Sequence, residues 1–217
     1  MDLNGLKINF LGDSITQGVG ADKQENRYTD VFQRLSGATV RNYGISGTRI
    51  ARQTNPYNEN FDKNDFIKRV DEMDADADIV VIFGGTNDYG HGDAPIGTPE
   101  DRDVYTFYGA MHVLCQKLIE KYPGKPVVFM TPLHRLNENK INNDRNGNPK
   151  ATLKGYTEII REVTEIYSLP VLDLFKTSCM QPSVEIIQKE FMPDGLHPST
   201  KGHKLLAEKV FAYLKTL

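Results

Sequence analysis

Ile79-Val80-Val81-Ile82-Phe83, closed by Gly84-Gly85-Thr86-Asn87-Asp88, is the stretch on which the fold reading turns. Five consecutive apolar residues followed by two glycines fit a strand covered on both faces, since a half-exposed strand would alternate apolar and polar residues. With this strand placed over Asp78–Phe83, similar short runs predict others at Lys7–Leu11, Thr39–Tyr43, Pro126–Met130 and Val171–Leu174. Between them, apolar residues recur at helical spacing over Tyr28–Leu35, Phe66–Met73, Val104–Lys121 and Leu153–Tyr167, and a last helix is expected over Ser199–Leu217. Strand and helix alternate, which predicts a five-stranded parallel sheet with right-handed crossovers and helices on both faces. No repeat or linker interrupts the pattern, so residues 1–217 read as one domain.

Charge narrows the function classes. The chain has 217 residues, with 26 Lys and Arg against 29 Asp and Glu, a formal net charge of −3. A nucleic-acid binder would gather a basic excess, and a peripheral membrane protein a basic amphipathic segment; neither is present in the sequence. No run approaches the ~18 apolar residues of a membrane span. Cys115 and Cys179 form no CxxC pair, and the five histidines are too scattered to suggest a metal site. Met1 to Asn9 is too short and polar for a secretory leader, so a cytoplasmic location is expected, with export open to a chain trimmed of its leader.

Four segments carry candidate chemistry. Gly12-Asp13-Ser14-Ile15-Thr16 follows the first strand, where a serine at a strand-to-helix turn has an exposed hydroxyl beside the free N–H groups of a helix start. Asp13 or Ser14 would equally serve as the helix cap. Asn42-Tyr43-Gly44-Ile45-Ser46-Gly47 follows the second strand, with glycines that let backbone approach a ligand or make a turn. Asn87, after the third strand, offers a neutral amide suited to an oxyanion, or to an Asx turn. Asp194-Gly195-Leu196-His197 precedes the last helix; at this spacing the carboxylate can reach the imidazole and fix its tautomer. The first three segments lie at C-terminal ends of predicted parallel strands, which converge on one sheet edge. A nucleophile, a base with its orienting acid and neutral donors then meet, as acyl transfer requires.

These blocks, in this order and spread over nearly the whole chain, resemble the SGNH (GDSL-type) esterase family. The resemblance implies a flavodoxin-like three-layer α/β/α sandwich. It also implies a triad of Ser14, Asp194 and His197, and an oxyanion hole of the Ser14 and Gly47 N–H groups with the Asn87 amide. Thr86 is an extra residue relative to members reading Gly-Gly-Asn-Asp, but Gly85-Thr86-Asn87-Asp88 keeps the Gly-x-Asn-Asp pattern. No cofactor is implied.

The expected partner is a small-molecule ester, and the pattern assigns no oligomeric state. Two long connections, Tyr89–Asp103 and Thr131–Ala151, follow strand ends and carry Tyr89, His91, Asp93, Arg135, Asn137, Asn139 and Asn142, a polar set with little room for a long acyl chain. That favours removal of a short acyl group such as acetyl from a polar alcohol such as a sugar, with Asp13, Tyr89 and His91 as candidate substrate contacts. The alternatives are a lysophospholipase or thioesterase on the same fold, and a non-catalytic flavodoxin-like binding domain.

Overall fold

The computed structural model describes residues 1–54 and 64–217. Its sheet contains β1 (Lys7–Gly12), β2 (Thr39–Gly44), β3 (Ile79–Phe83), β4 (Val127–Met130) and β5 (Val171–Leu172), all parallel in the order β2-β1-β3-β4-β5. Among the described residues the helices are α1 (Ser14–Gln17), α2 (Tyr28–Ser36), α3 (Phe66–Glu72), α4 (Thr86–His91), α5 (Phe107–Lys121), α6 (Leu153–Ile166), α7 (Leu174–Thr177), α8 (Glu185–Phe191) and α9 (Thr200–Leu214).

Side-chain alternation along the strands builds the three layers. Leu11, Val80, Ile82, Val127 and Phe129 pack on one face against Phe66, Val70, Met111, Leu114 and Ile160 of α3, α5 and α6. Ile8, Phe10, Val81, Phe83, Val128 and Met130 pack on the other against Tyr28, Phe32, Leu206 and Val210 of α2 and α9. All five predicted strands are present, and three of the ends that differ have a capping residue as their cause. Asp173 accepts the Lys176 N–H, so Leu174 opens α7 instead of extending β5. The Thr106 side chain accepts from Gly109, so α5 starts at Phe107 and not at Val104. Ser199 likewise caps α9 through Gly202.

The strand order reverses between β1 and β3, and in open α/β sheets ligands bind beyond the strand ends at such a switch point. Gly12 and Phe83 end these two strands side by side, so Ser14 and Asn87 emerge on either side of one crevice.

Candidate active site

Gly12 leads into Asp13, whose side chain accepts the Ile15 N–H and caps α1, so Ser14 is the first residue of that helix. Ser14 is 7% exposed, and its Oγ lies 2.9 Å from His197 Nε2. The other imidazole nitrogen, Nδ1, is 2.6 Å from Asp194 Oδ2. Asp194 Oδ1 also accepts the Leu196 and His197 backbone N–H groups, folding residues 194–197 into a tight turn. Burial opposes ionisation of Asp194, but the bonds from the His197 ring and these two N–H groups outweigh it and hold the carboxyl below its ordinary value. An ionised Asp194 keeps the proton of neutral His197 on Nδ1 and leaves Nε2 free to accept one from Ser14.

Across the crevice, Asn87 is 4% exposed; its Nδ2 donates to Thr48 O at 3.1 Å, which uses one of two amide hydrogens. Its neighbour Asp88 accepts the Ile50 and Ala51 N–H groups, at 3.0 and 2.9 Å, and so anchors the segment that follows β2. Gly47, within that segment, has φ of +76°, a left-handed conformation that favours glycine. Among the described residues neither the Ser14 nor the Gly47 N–H meets an acceptor.

Arg69 of α3, which no sequence pattern singled out, is 2% exposed and ties this edge together. Its guanidinium donates to Gly12 O, Tyr43 O, Asn64 O and Thr48 Oγ1, and stacks 4.6 Å over the Phe66 ring. The carbonyls before the serine and at the end of β2, and the hydroxyl beside Gly47, thus share one donor.

Two of the three candidate substrate contacts, Tyr89 and His91, lie on a helix where the sequence suggested a loop. Tyr89 belongs to α4, is 2% exposed and packs edge-on against Tyr156; its hydroxyl donates to the Asn137 and Lys140 carbonyls. Its hydroxyl is therefore committed to the backbone of residues 137–140. Asp13 is equally enclosed beneath α1. His91 ends α4 with an exposed ring edge, but its Nε2 lies 3.0 Å from Asn87 Oδ1 and its Nδ1 receives an Arg49 guanidinium N–H. Because Nδ1 accepts, Nε2 carries the proton and donates to Asn87, which turns the amide nitrogen toward Thr48 and the crevice. Its i,i+4 spacing from Asn87 was a sequence signal for such a contact, hidden because Gly90 and Gly92 made the segment read as loop. His112 and His203 are fully buried packing residues, bonded to Tyr167 and Pro99 and to Tyr28 and Val19 respectively.

Two predictions arise here. Replacing His91 with alanine should lower kcat about tenfold through misorientation of the amide, a fraction of the ~10²–10³-fold expected for Asn87→Ala. His91→Gln, which restores a donor, should recover most of the loss; a kcat for His91→Ala within twofold of the parent would remove the orienting role. The second concerns Asp13, whose carboxyl is pushed up to about 6 by burial, against the opposing Ile15 N–H bond and the charges of His197 and Arg69. A raised carboxyl binds its proton more tightly in the folded than in the unfolded chain, so it costs stability above pH 6 and ceases to cost as pH falls toward 4. Asp13→Asn should therefore raise unfolding stability at pH 8 by on the order of 3 kcal/mol, with the advantage fading by pH 4. Parallel urea curves across that range check it, and an unchanged offset at both ends would refute it.

The pattern that defines the GDSL-like lipase/acylhydrolase family matches residues 10–205. An acetylxylan esterase of Xylanibacter ruminicola is 26% identical over 98% of this chain, and a multidomain esterase of Ruminococcus flavefaciens is 26% identical over 97%. The chain spans 44% and 29% of these relatives' lengths. The crystal structure of a Lactobacillus plantarum protein superposes with a TM-score of 0.81, at 28% identity and with 98% of each chain covered.

Proposed function

This chain belongs to the GDSL-like lipase/acylhydrolase family, and from that premise we infer that it is a serine esterase that removes short acyl groups, acetyl foremost, from a polar alcohol such as a carbohydrate. The observation carrying this reading is the 2.9 Å approach of Ser14 Oγ to His197 Nε2 with Asp194 on the far ring nitrogen. In the proposed reaction His197 Nε2 takes the Ser14 proton as Oγ attacks the ester carbonyl. The oxyanion that forms is held by the Ser14 and Gly47 N–H groups and by the second Asn87 amide hydrogen. His197 then gives its proton to the leaving alcohol, and the same imidazole activates water to release the acid from Ser14.

The polar-alcohol reading rests on the surroundings. Two adjoining cavities of about 300 and 350 Å³ lie beyond α4, sharing Gly90 and Asn142, and side chains of Arg135, Lys140, Asn142, Asn143 and Asp144 line them. Such walls suit hydroxyls, not methylenes. The names of the acetylxylan and multidomain esterase relatives agree with this reading.

A fluorophosphonate probe followed by peptide mapping tests the nucleophile. The label is expected on Ser14 alone, and labelling retained in Ser14→Ala would place the nucleophile elsewhere. A 4-nitrophenyl ester series tests the acyl pocket, with acetate expected to exceed decanoate in kcat/KM by more than tenfold. The reverse order would overturn the short-acyl reading in favour of a lipid or acyl thioester substrate.

A further inference from the structure

Arg135, in the long connection after β4, is held in a way that helix capping and surface solvation do not explain. Its Nη1 donates to both Thr86 O and Thr86 Oγ1 at 3.2 Å, and its guanidinium stacks 5.6 Å from the centre of the Tyr89 ring. Gly90 makes room for it, since a Cβ there would lie 2.8 Å from Nη1. Nε is enclosed and has no acceptor. Among the described residues no carboxylate pairs with this cation; Asp13 and Asp194 act on it only through their fields, which offset part of the burial that lowers its proton affinity. A fixed, half-buried guanidinium without a counter-ion is costly unless a ligand supplies one.

The space in front of it matches such a ligand. The 300 Å³ cavity is lined by Arg135, Lys140, Tyr89, Gly90, Asn137 and Asn142, which include two cations, two amides and no acidic side chain. Its position relative to the reaction is set by two bonds. Arg135 holds Thr86, the residue before Asn87, and the next residue, Leu136, donates its N–H to Gly195 O in the turn that carries His197. Arg135 therefore stands between the oxyanion donor and the base that protonates the leaving alcohol. In the proposed reaction the leaving alcohol takes its proton from His197, so it departs beside the turn that Leu136 holds.

We propose that Arg135, with Lys140, forms a subsite for a carboxylate on the alcohol half of the substrate, so that the preferred ester is an acetylated acidic sugar of the uronate type. This deepens the esterase reading and rests on it. Nη2, which bonds no acceptor among the described residues, can donate to a carboxylate, the guanidinium supplies the charge, and Lys140 adds a second, movable cation on the same wall. The amides of Asn137 and Asn142 border the same space for ring hydroxyls.

The test measures acetate release from three mono-O-acetylated methyl glycosides that differ at C6: glucuronoside, glucoside and glucoside 6-sulfate. The parent protein is expected to favour the glucuronoside over the glucoside at least tenfold in kcat/KM at low salt. Arg135→Met should collapse that ratio to within about twofold, and Lys140→Gln should reduce it two- to threefold. Equal rates on glucuronoside and glucoside would overturn the proposal. So would an Arg135→Met variant that slows both alike, because the arginine would then serve only to hold Thr86. A preference for the 6-sulfate would overturn the carboxylate assignment. Silence toward all three sugars with turnover of 4-nitrophenyl acetate would overturn the subsite and leave the esterase standing; silence toward 4-nitrophenyl acetate as well would overturn both.

Discussion

Replacing His197 with alanine is expected to lower kcat on 4-nitrophenyl acetate by roughly 10⁴-fold or more, with the fold retained. In the proposed reaction the imidazole is the one group that both takes the Ser14 proton and returns it to the leaving alcohol, so its loss leaves a neutral hydroxyl of very weak nucleophilicity. The donors facing the oxyanion stay in place, and a residual rate above that of water should survive through them. His197 is half-buried in a turn whose shape comes from Asp194 accepting two backbone N–H groups, so the side chain can be removed without unravelling that turn. The measurement pairs steady-state kcat with a urea melt. A kcat within tenfold of the parent, at unchanged stability, would assign the proton transfer to another group.

Arg69→Met is expected to cost on the order of 3–5 kcal/mol of unfolding stability, lowering Tm by about 10 °C, and to reduce kcat in the protein that still folds. Methionine fills much of the volume but removes the guanidinium from Tyr43 O and the buried Thr48 hydroxyl and leaves Gly12 O to the Ile45 N–H. Burial pulls the guanidinium down to about 10, still far above neutral pH, so the cation persists and each of these bonds is charge-assisted. Arg69→Lys should recover little, since an ammonium cannot span four acceptors set around a planar fork. Urea titration with kcat measured on the same preparations separates the two effects. A stability loss under 1 kcal/mol would show that water replaces the side chain.

β3 and β4 were legible because burial on both faces turns them into uninterrupted apolar runs, Ile79–Phe83 and Val127–Met130. The residues of the crevice were legible because serine, asparagine and the Asp194–His197 pair sit at strand ends or before a helix, where core packing does not require them. What escaped was set by tertiary contact. α4 is only six residues long and contains Gly90, so no apolar period marks it, and Tyr89 read as a loop residue although it is part of the core. Arg69 sits on a helix whose spacing pattern cannot show that its polar member faces inward, because the acceptors belong to β1, β2 and the segment after β2. The end of β5 was misplaced because a single cap, Asp173, decides whether Leu174 extends or coils.

The Ser14–His197 contact joins positions 183 residues apart, and Thr200, at the start of α9, also bonds Asp22 near the other end. The proposed nucleophile is made long before the proposed base. The nascent chain therefore carries Ser14 without its imidazole until residues 194–197 emerge and dock, and the proposed activity waits on that docking.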